Sequence, residues 1–309
     1  MINVSTVIPV YNRPELVVET IKSALSQQSD GHEIVVVDNC STDSTWNVVQ
    51  QMAQEDSRIR CMKNERNVGP VRNWKIGVQA ARGEFCHILF SDDLVHPDFI
   101  KETVKKFDSE TGFIMVGHAI RNDTRIVAQS SFQQQQSITR EELLESAVFW
   151  NPKQIQLVSP VNSLFRRTDL VNSIIGDIPN PLGIDFAAHG AGPDQLIFMI
   201  IAQKYPRVAC VNRILANFIA HEGSISVQAR VLDTPRETAR AYFVKNYWPQ
   251  AEKRYRAILW LRSRKNPALK PLYNDVSNES TTSFDYLSAI RHAIKVKVFS
   301  RSVRSDRID

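Results

Sequence analysis

Two adjacent carboxylates, Asp92 and Asp93, follow the strand-like run Phe85 to Phe90, and paired acids in that position suit a hard divalent cation, Mn2+ or Mg2+. Such an ion takes one or two carboxylates and fills its shell with waters and phosphate oxygens, where it neutralises charge developing on a departing diphosphate. The pair also fits a plain turn into a helix, with Pro97 four residues beyond Asp93. Asp38 closes a second strand-like run, Glu33 to Val37. From there a carboxylate can accept hydrogen bonds from ribose hydroxyls or a base N–H, or else cap the helix starting near Thr42 or Asp43. Arg13 and Arg72 carry guanidinium groups that stack on bases and pair with phosphates, with surface ion pairing as the alternative for each.

The elements around these residues read as alternating strand and helix. Val4 to Pro9, Glu33 to Val37, Ile59 to Met62 and Phe85 to Phe90 are short runs rich in β-branched and aromatic residues. Between them apolar residues recur at helical spacing: Leu16, Val17, Ile21, Ala24 and Leu25, then Trp46, Val49, Met52 and Ala53, then Val71, Trp74, Val78 and Ala81. This alternation predicts an α/β fold with a Rossmann-like, mostly parallel sheet flanked by helices, whose ligands bind beyond the carboxyl ends of the strands. Tyr11-Asn12-Arg13, Asp38-Asn39 and Ser91-Asp92-Asp93 all fall at those ends, on one rim. After about residue 112 the pattern loosens into a strand-like Gly112 to Gly117, a glutamine-rich loop, and a helix opened by the capping box Thr139-Arg140-Glu141-Glu142. Thr234-Pro235-Arg236-Glu237 is a second helix start of the same kind and leads into a basic helical C-terminal extension.

Longer stretches carry a family likeness. Thr6-Val7-Ile8-Pro9-Val10-Tyr11-Asn12-Arg13, Ile34-Val35-Val36-Val37-Asp38-Asn39-Cys40-Ser41-Thr42-Asp43-Ser44-Thr45, Asn67-Val68-Gly69-Pro70-Val71-Arg72-Asn73, Ala81-Arg82-Gly83-Glu84-Phe85 and Ser91-Asp92-Asp93 follow one another in order. Together they resemble glycosyltransferase family 2, which has the GT-A fold, and the likeness runs from Ser5 to about Ser226. The resemblance implies a metal-dependent, inverting transferase moving a sugar from a nucleotide diphosphate donor, a UDP-sugar being favoured, to a saccharide or lipid-linked acceptor in cell-surface polysaccharide or glycolipid synthesis. It implies a donor site drawing on Pro9, Tyr11, Arg13, Asp38, Arg72 and Asp92, with Asp92 and Asp93 on the metal. In Gly190-Ala191-Gly192-Pro193-Asp194-Gln195 it makes Asp194 the catalytic base, with Asp185 as the competing acid. In Asn217-Phe218-Ile219-Ala220-His221-Glu222-Gly223-Ser224-Ile225-Ser226 it makes His221 a metal ligand or a diphosphate contact. The division expected is a nucleotide-sugar half over 1–118, an acceptor half over 119–228 and the extension over 229–309.

Three departures from the family pattern matter. Phe90 stands where an acidic residue often precedes the aspartates, and Pro193 replaces the glutamate of the family's E-D pair. A proline ahead of an aspartate that begins a helix is compatible with a rigid carboxylate favoured by the helix dipole. The Q-x-x-R-W of processive members has no true match, which favours single transfers. A non-catalytic nucleotide-sugar-binding protein of the same fold is the alternative that Phe90 and Pro193 raise.

Bulk properties narrow the classes. The 309 residues are 43% hydrophobic and 23% charged, a globular balance. No apolar run approaches the roughly 20 residues of a membrane span, and the N-terminus reads as a first strand, so a cytoplasmic location is expected. Four scattered cysteines without a C-x-x-C pair argue against zinc and disulfides. A net charge of +5 suggests an anionic partner. Nucleic acid is excluded by the acidic rim, which would repel a phosphate backbone. Phe284, Leu287, Ile290, Ile294 and Val298 share a helical face near Arg291, Lys295, Lys297, Arg301 and Arg304. That pattern predicts a peripheral helix on the anionic inner face of a membrane, or one packed on the protein's own core.

Overall fold

The computed structural model describes residues 3–122, 125–132, 135–149, 157, 159–188, 190–220, 233–276 and 282–291. The chain begins with the expected alternation: β1 (Val4–Val10), α1 (Pro14–Leu25), β2 (His32–Asp38), α2 (Thr45–Glu55), β3 (Ile59–Lys63), α3 (Pro70–Ala80) and β4 (Phe85–Ile88). β1 pairs in parallel with both β2 and β4, and β2 with β3. Successive residues of β1 and β2 enter different cores, because side chains alternate across a strand. Val7, Val35 and Val37 pack with Val71, Trp74 and Val78 of α3, whereas Val4, Ile8, Ile34 and Val36 pack with Val17 and Ile21 of α1 and Val49 of α2. Burial on both faces is why these strands read as nearly continuous apolar runs. α3 lies so close to the sheet that a Cβ on Gly77 would stand 2.4 Å from Val7 Cγ1.

The second half adds β5 (Leu94–Val95), α4 (Phe99–Val104), β6 (Thr111–Arg121), β7 (Ile126–Ser130), β8 (Ser137–Thr139), α5 (Arg140–Phe149), β9 (Ser163–Arg166), α6 (Arg167–Ser173), α7 (Pro193–Ala202) and β10 (Arg207–Ile219). The sheet runs β3-β2-β1-β4-β9-β6-β10-β5, with β7 beside β6 and β8 beside β10. Among the described residues, parallel pairing continues only between β6 and β10, since β9 inserts antiparallel to both β4 and β6. The sheet is therefore mixed, with the expected parallel character concentrated in its first four strands. Phe165 of β9 earns this place by packing against Phe113 and Phe198, at centroid distances of 5.5 Å each.

Thr139 and Glu142 form the expected reciprocal cap, Glu142 Oε2 accepting from the Thr139 N–H at 3.1 Å and Thr139 Oγ1 from the Glu142 N–H at 3.2 Å. The extension contains α8 (Asp233–Tyr247), α9 (Glu252–Lys265) and α10 (Lys270–Asp275). Here Glu237 does not fold back as a cap. It is buried and accepts from Tyr255 Oη at 2.7 Å and from Arg262, both on α9, because two strong donors in an enclosed site outbid one backbone N–H. Ala239, Phe243, Val244 and Leu259 share the core of Leu196–Ala202, so these helices pack on α7 as part of the same body. All four cysteines are free. Among the described residues, no helix is long and apolar enough to cross a membrane.

Candidate active site

The carboxyl ends of β1 and β4, the start of α3, the end of β10, the turn ahead of α7 and the first turn of α8 enclose a cavity of about 1140 Å³. Pro9, Tyr11, Arg13, Arg72, Asp92, Asp93 and Asp194 all line it, so the structure gathers residues up to 185 positions apart, from Pro9 to Asp194.

The turn leaving β1 is tied to the turn leaving β2. Asn12 takes a left-handed φ of 50°, which asparagine tolerates. Its Oδ1 accepts from the Thr42 N–H at 2.9 Å, and its own N–H donates to Ser41 Oγ at 3.0 Å. Asp38 is fully buried and does not line the cavity, although its neighbour Asn39 does. The capping role of Asp38 is formed, with Oδ1 accepting the Ser41 N–H at 2.7 Å at the turn into α2, while Oδ2 is buried without a partner. Asn39, Asn64, Asn67 and Asn73 form a chain of amide hydrogen bonds at 2.8–3.1 Å that shapes the cavity wall between β2 and α3.

The two arginines singled out by sequence both engage carboxylates. Arg13 meets Asp92 Oδ2 at 2.6 Å. Arg72 meets Asp177 at 2.6 Å in an exposed pair, the surface alternative, while still bordering the cavity. Asp93 is 7% exposed, and its Oδ1 accepts the Ile219 N–H at 3.1 Å, which ties the β4 turn to the end of β10. Burial, followed by the neighbouring Asp92 charge, pushes the Asp93 carboxyl well above the usual range. A buried carboxylate beside a second one is an environment that a cation relieves, and in this respect the donor set fits Mn2+ or Mg2+. The third expected ligand, His221, lies outside the described residues, and among those no group of three or more His, Cys, Asp or Glu side chains converges. Phe90 stacks obliquely on Trp74 at 5.1 Å, so this wall of the cavity is aromatic.

Asp194 sits in the first turn of α7, with Oδ1 accepting the N–H groups of Gly192 at 2.8 Å and Gln195 at 2.7 Å. Sequence reasoning expected the helix start to favour its ionised form; burial outweighs this and raises its pKa, opposed first by Arg236, then by those two N–H groups and Arg240. A carboxylate poised this way is suited to exchange a proton with a hydroxyl. Asp185 also borders the cavity, exposed, with Oδ1 on the Ala187 N–H at 3.0 Å. Asn39 lines the cavity as its place on the expected rim implies, whereas sequence reasoning missed Arg66, Trp74 and Arg236 as cavity residues. Arg236 appeared only within a helix-start signal, and no spacing in the chain announces that it returns to the rim.

The family model described as Glycosyl transferase family 2 matches residues 5–171. The succinoglycan biosynthesis protein ExoO of Rhizobium meliloti (strain 1021) is 38% identical over 114 residues, covering 37% of this chain and 32% of that protein, so the chain spans about a third of that relative's length. S. aureus TarS 1–349 in complex with UDP-GlcNAc shares the fold with a TM-score of 0.62, over 96% of this chain and 81% of that one, at 20% identity. The mannosyltransferase PcManGT from Pyrobaculum calidifontis in complex with GDP-Man and Mn2+ gives a TM-score of 0.50, over 99% and 92%, at 16% identity. The architecture is the GT-A fold.

Proposed function

This chain belongs to glycosyl transferase family 2, and on that premise we propose that it transfers a sugar from a nucleotide diphosphate donor to an acceptor hydroxyl with inversion. The observation that carries the reading is one cavity in which the Asp92–Asp93 pair and Asp194 face the same space. Asp92 and Asp93 would hold Mn2+ or Mg2+, which would supply countercharge to the leaving nucleoside diphosphate. Pro9, Tyr11, Arg13 and Arg72 receive the donor at the cavity wall, and Asp38, buried behind its lining neighbour Asn39, meets the nucleoside through its orphaned Oδ2 once the donor displaces that covering. Asp194 takes the proton of the attacking hydroxyl.

A UDP-sugar donor is favoured by the UDP-GlcNAc complex of TarS, and a metal by the Mn2+ complex of PcManGT. The name of ExoO supports a role in polysaccharide synthesis, with a saccharide or lipid-linked acceptor. Phe284 and Leu287, 73% and 54% exposed, support docking of the C-terminal region on the cytoplasmic face of an anionic membrane. The aromatic Phe90–Trp74 wall, where the family often places an acid, favours the one rival worth carrying, a protein that binds nucleotide sugars without transferring them.

Calorimetric titration with UDP, GDP, dTDP and CDP, with and without Mn2+, followed by donor-hydrolysis and transfer assays of the matching nucleotide sugars, tests the proposal. One nucleoside diphosphate binds in a metal-dependent manner, and turnover stops in excess chelator and returns with Mn2+ or Mg2+. Metal-dependent binding without turnover of any donor leaves the rival; full turnover in chelator refutes the metal.

A further inference from the structure

Among the described residues four arginines line the cavity, and their partners set them apart. Arg13 and Arg72 are paired with Asp92 and Asp177, and Arg66 is exposed at the rim after β3. Arg236 is different. Its Nε is buried without a hydrogen-bond partner, and no carboxylate among the described residues forms an ion pair with it. A guanidinium nitrogen taken out of water without a partner incurs a desolvation cost that an oxyanion ligand would offset.

The fold determines where this group sits. The first turn of α8 rests on the turn ahead of α7, where Gly192 has φ 102° and a Cβ would stand 3.0 Å from the Pro235 carbonyl oxygen and 3.1 Å from Ala239 Cβ. The next residue, Glu237, is clamped by Tyr255, Arg262 and Arg240, and Arg240 also donates to Gln195 Oε1 at 3.3 Å. α8 cannot turn about its axis without breaking these contacts, so Arg236 is held close enough to Asp194 to be the foremost charge opposing the rise that burial imposes on that carboxyl. Asp194 does not satisfy it, since Oδ1 is taken by two backbone N–H groups and no ion pair joins the two side chains.

We propose that Arg236 is an acceptor-binding residue that receives an anionic group, phosphate or carboxylate, carried by the acceptor beside the hydroxyl that Asp194 deprotonates. The inference rests on the reading of Asp194 as the general base. In an inverting displacement the acceptor oxygen bonds to one face of the anomeric carbon as the bond to the diphosphate breaks on the opposite face. A cation next to the base therefore faces the acceptor, while the diphosphate would find its countercharge in the divalent cation that Asp92 and Asp93 would hold. The planar fork of a guanidinium matches a carboxylate or phosphate through two parallel hydrogen bonds, and a neutral hydroxyl cannot reproduce that match.

The test is calorimetry on the full chain, loaded with Mn2+ and the nucleoside diphosphate it binds, with glucose 1-phosphate, glucuronate and glucose as probes. One of the two anions binds about tenfold or more tightly than glucose, and which one it is distinguishes a phosphorylated acceptor from a uronic one. Arg236→Gln abolishes that preference and leaves nucleoside diphosphate affinity within about twofold, which also certifies that the variant folds; Arg236→Lys, a point charge, keeps part of it. Equal binding of all three probes to the parent chain overturns the proposal without any variant. A loss of about tenfold in nucleoside diphosphate affinity on Arg236→Gln overturns it as well, by assigning the arginine to the donor. If no nucleoside diphosphate binds the parent chain, the functional reading fails first and takes this one with it.

Discussion

Glu237→Gln is the perturbation that most directly asks whether the C-terminal helices are part of the catalytic body. Glu237 is 4% exposed, Arg262 is 7% exposed, and the two are joined directly; Arg240 Nη1 lies 3.2 Å from the other carboxylate oxygen, and Tyr255 donates at 2.7 Å. Glutamine keeps the shape and an acceptor for Tyr255 but removes the charge, so a buried guanidinium loses its counterion. Breaking a buried pair from one side costs about 3–5 kcal/mol, far more than the ~0–1 kcal/mol of a surface pair such as Arg72–Asp177. For a chain of this size that loss lowers Tm by about 6–10 °C in scanning calorimetry. Replacing both ends, Glu237→Gln with Arg262→Met, recovers part of the loss, since the only charge then left without its carboxylate is Arg240, which keeps its hydrogen bonds to the Ala147 carbonyl and Gln195 Oε1. The pH dependence follows the same contacts. Burial alone would raise the Glu237 carboxyl, but Arg262 and Arg240 hold it below its usual 4.5. Its stabilisation is therefore complete above pH 4.5 and fades as pH falls through the lower folded value, so the parent chain loses its advantage over the variant in acid. A Tm change under about 2 °C at neutral pH, or an advantage that grows on acidification, would refute the reasoning.

Asp194→Asn should lower kcat by about 10²–10⁴ while leaving nucleoside diphosphate affinity unchanged, with Asp185→Asn near parental rates; the reverse pattern moves the base to Asp185. Because burial raises the Asp194 pKa, the acid limb of the kcat/KM profile lies above the ordinary 3.8 of an aspartate. Asp38→Asn retains the Oδ1 cap on Ser41 but puts an NH2 group where Oδ2 is orphaned, so nucleoside diphosphate affinity falls about tenfold by calorimetry; unchanged affinity leaves Asp38 as a cap alone. Gly77→Ala drives a methyl to 2.4 Å from Val7 Cγ1 and costs about 1–3 kcal/mol in urea denaturation, and a neutral result means α3 can lift from the sheet. Flotation of the full chain on anionic liposomes exceeds that of a chain ending before Ser283, whereas equal flotation removes the membrane contact.

Much of the first half was legible in the residues because its information is local. Strand and helix periods gave the alternation, the capping-box spacing gave the cap at Thr139–Glu142, and the rule that ligands gather at strand ends puts Tyr11, Arg13, Asp92 and Asp93 on one rim. Asp194 was reached through the family likeness, and its helix start through Pro193. Local pattern is silent on what lies across the chain. It does not say that β9 enters between β4 and β6 in the opposite direction, since a strand's period is the same in either sense. Nor does it say that Arg13 spends its charge on Asp92, 79 positions away, or that Glu237 leaves its expected cap for Arg262. Those choices depend on which side chains the packed elements bring within 3 Å of one another, an outcome of register and chain return rather than of spacing. Arg236 is the sharpest case: only the packing of α8 on Gly192 carries a residue from the C-terminal helices to the side of Asp194.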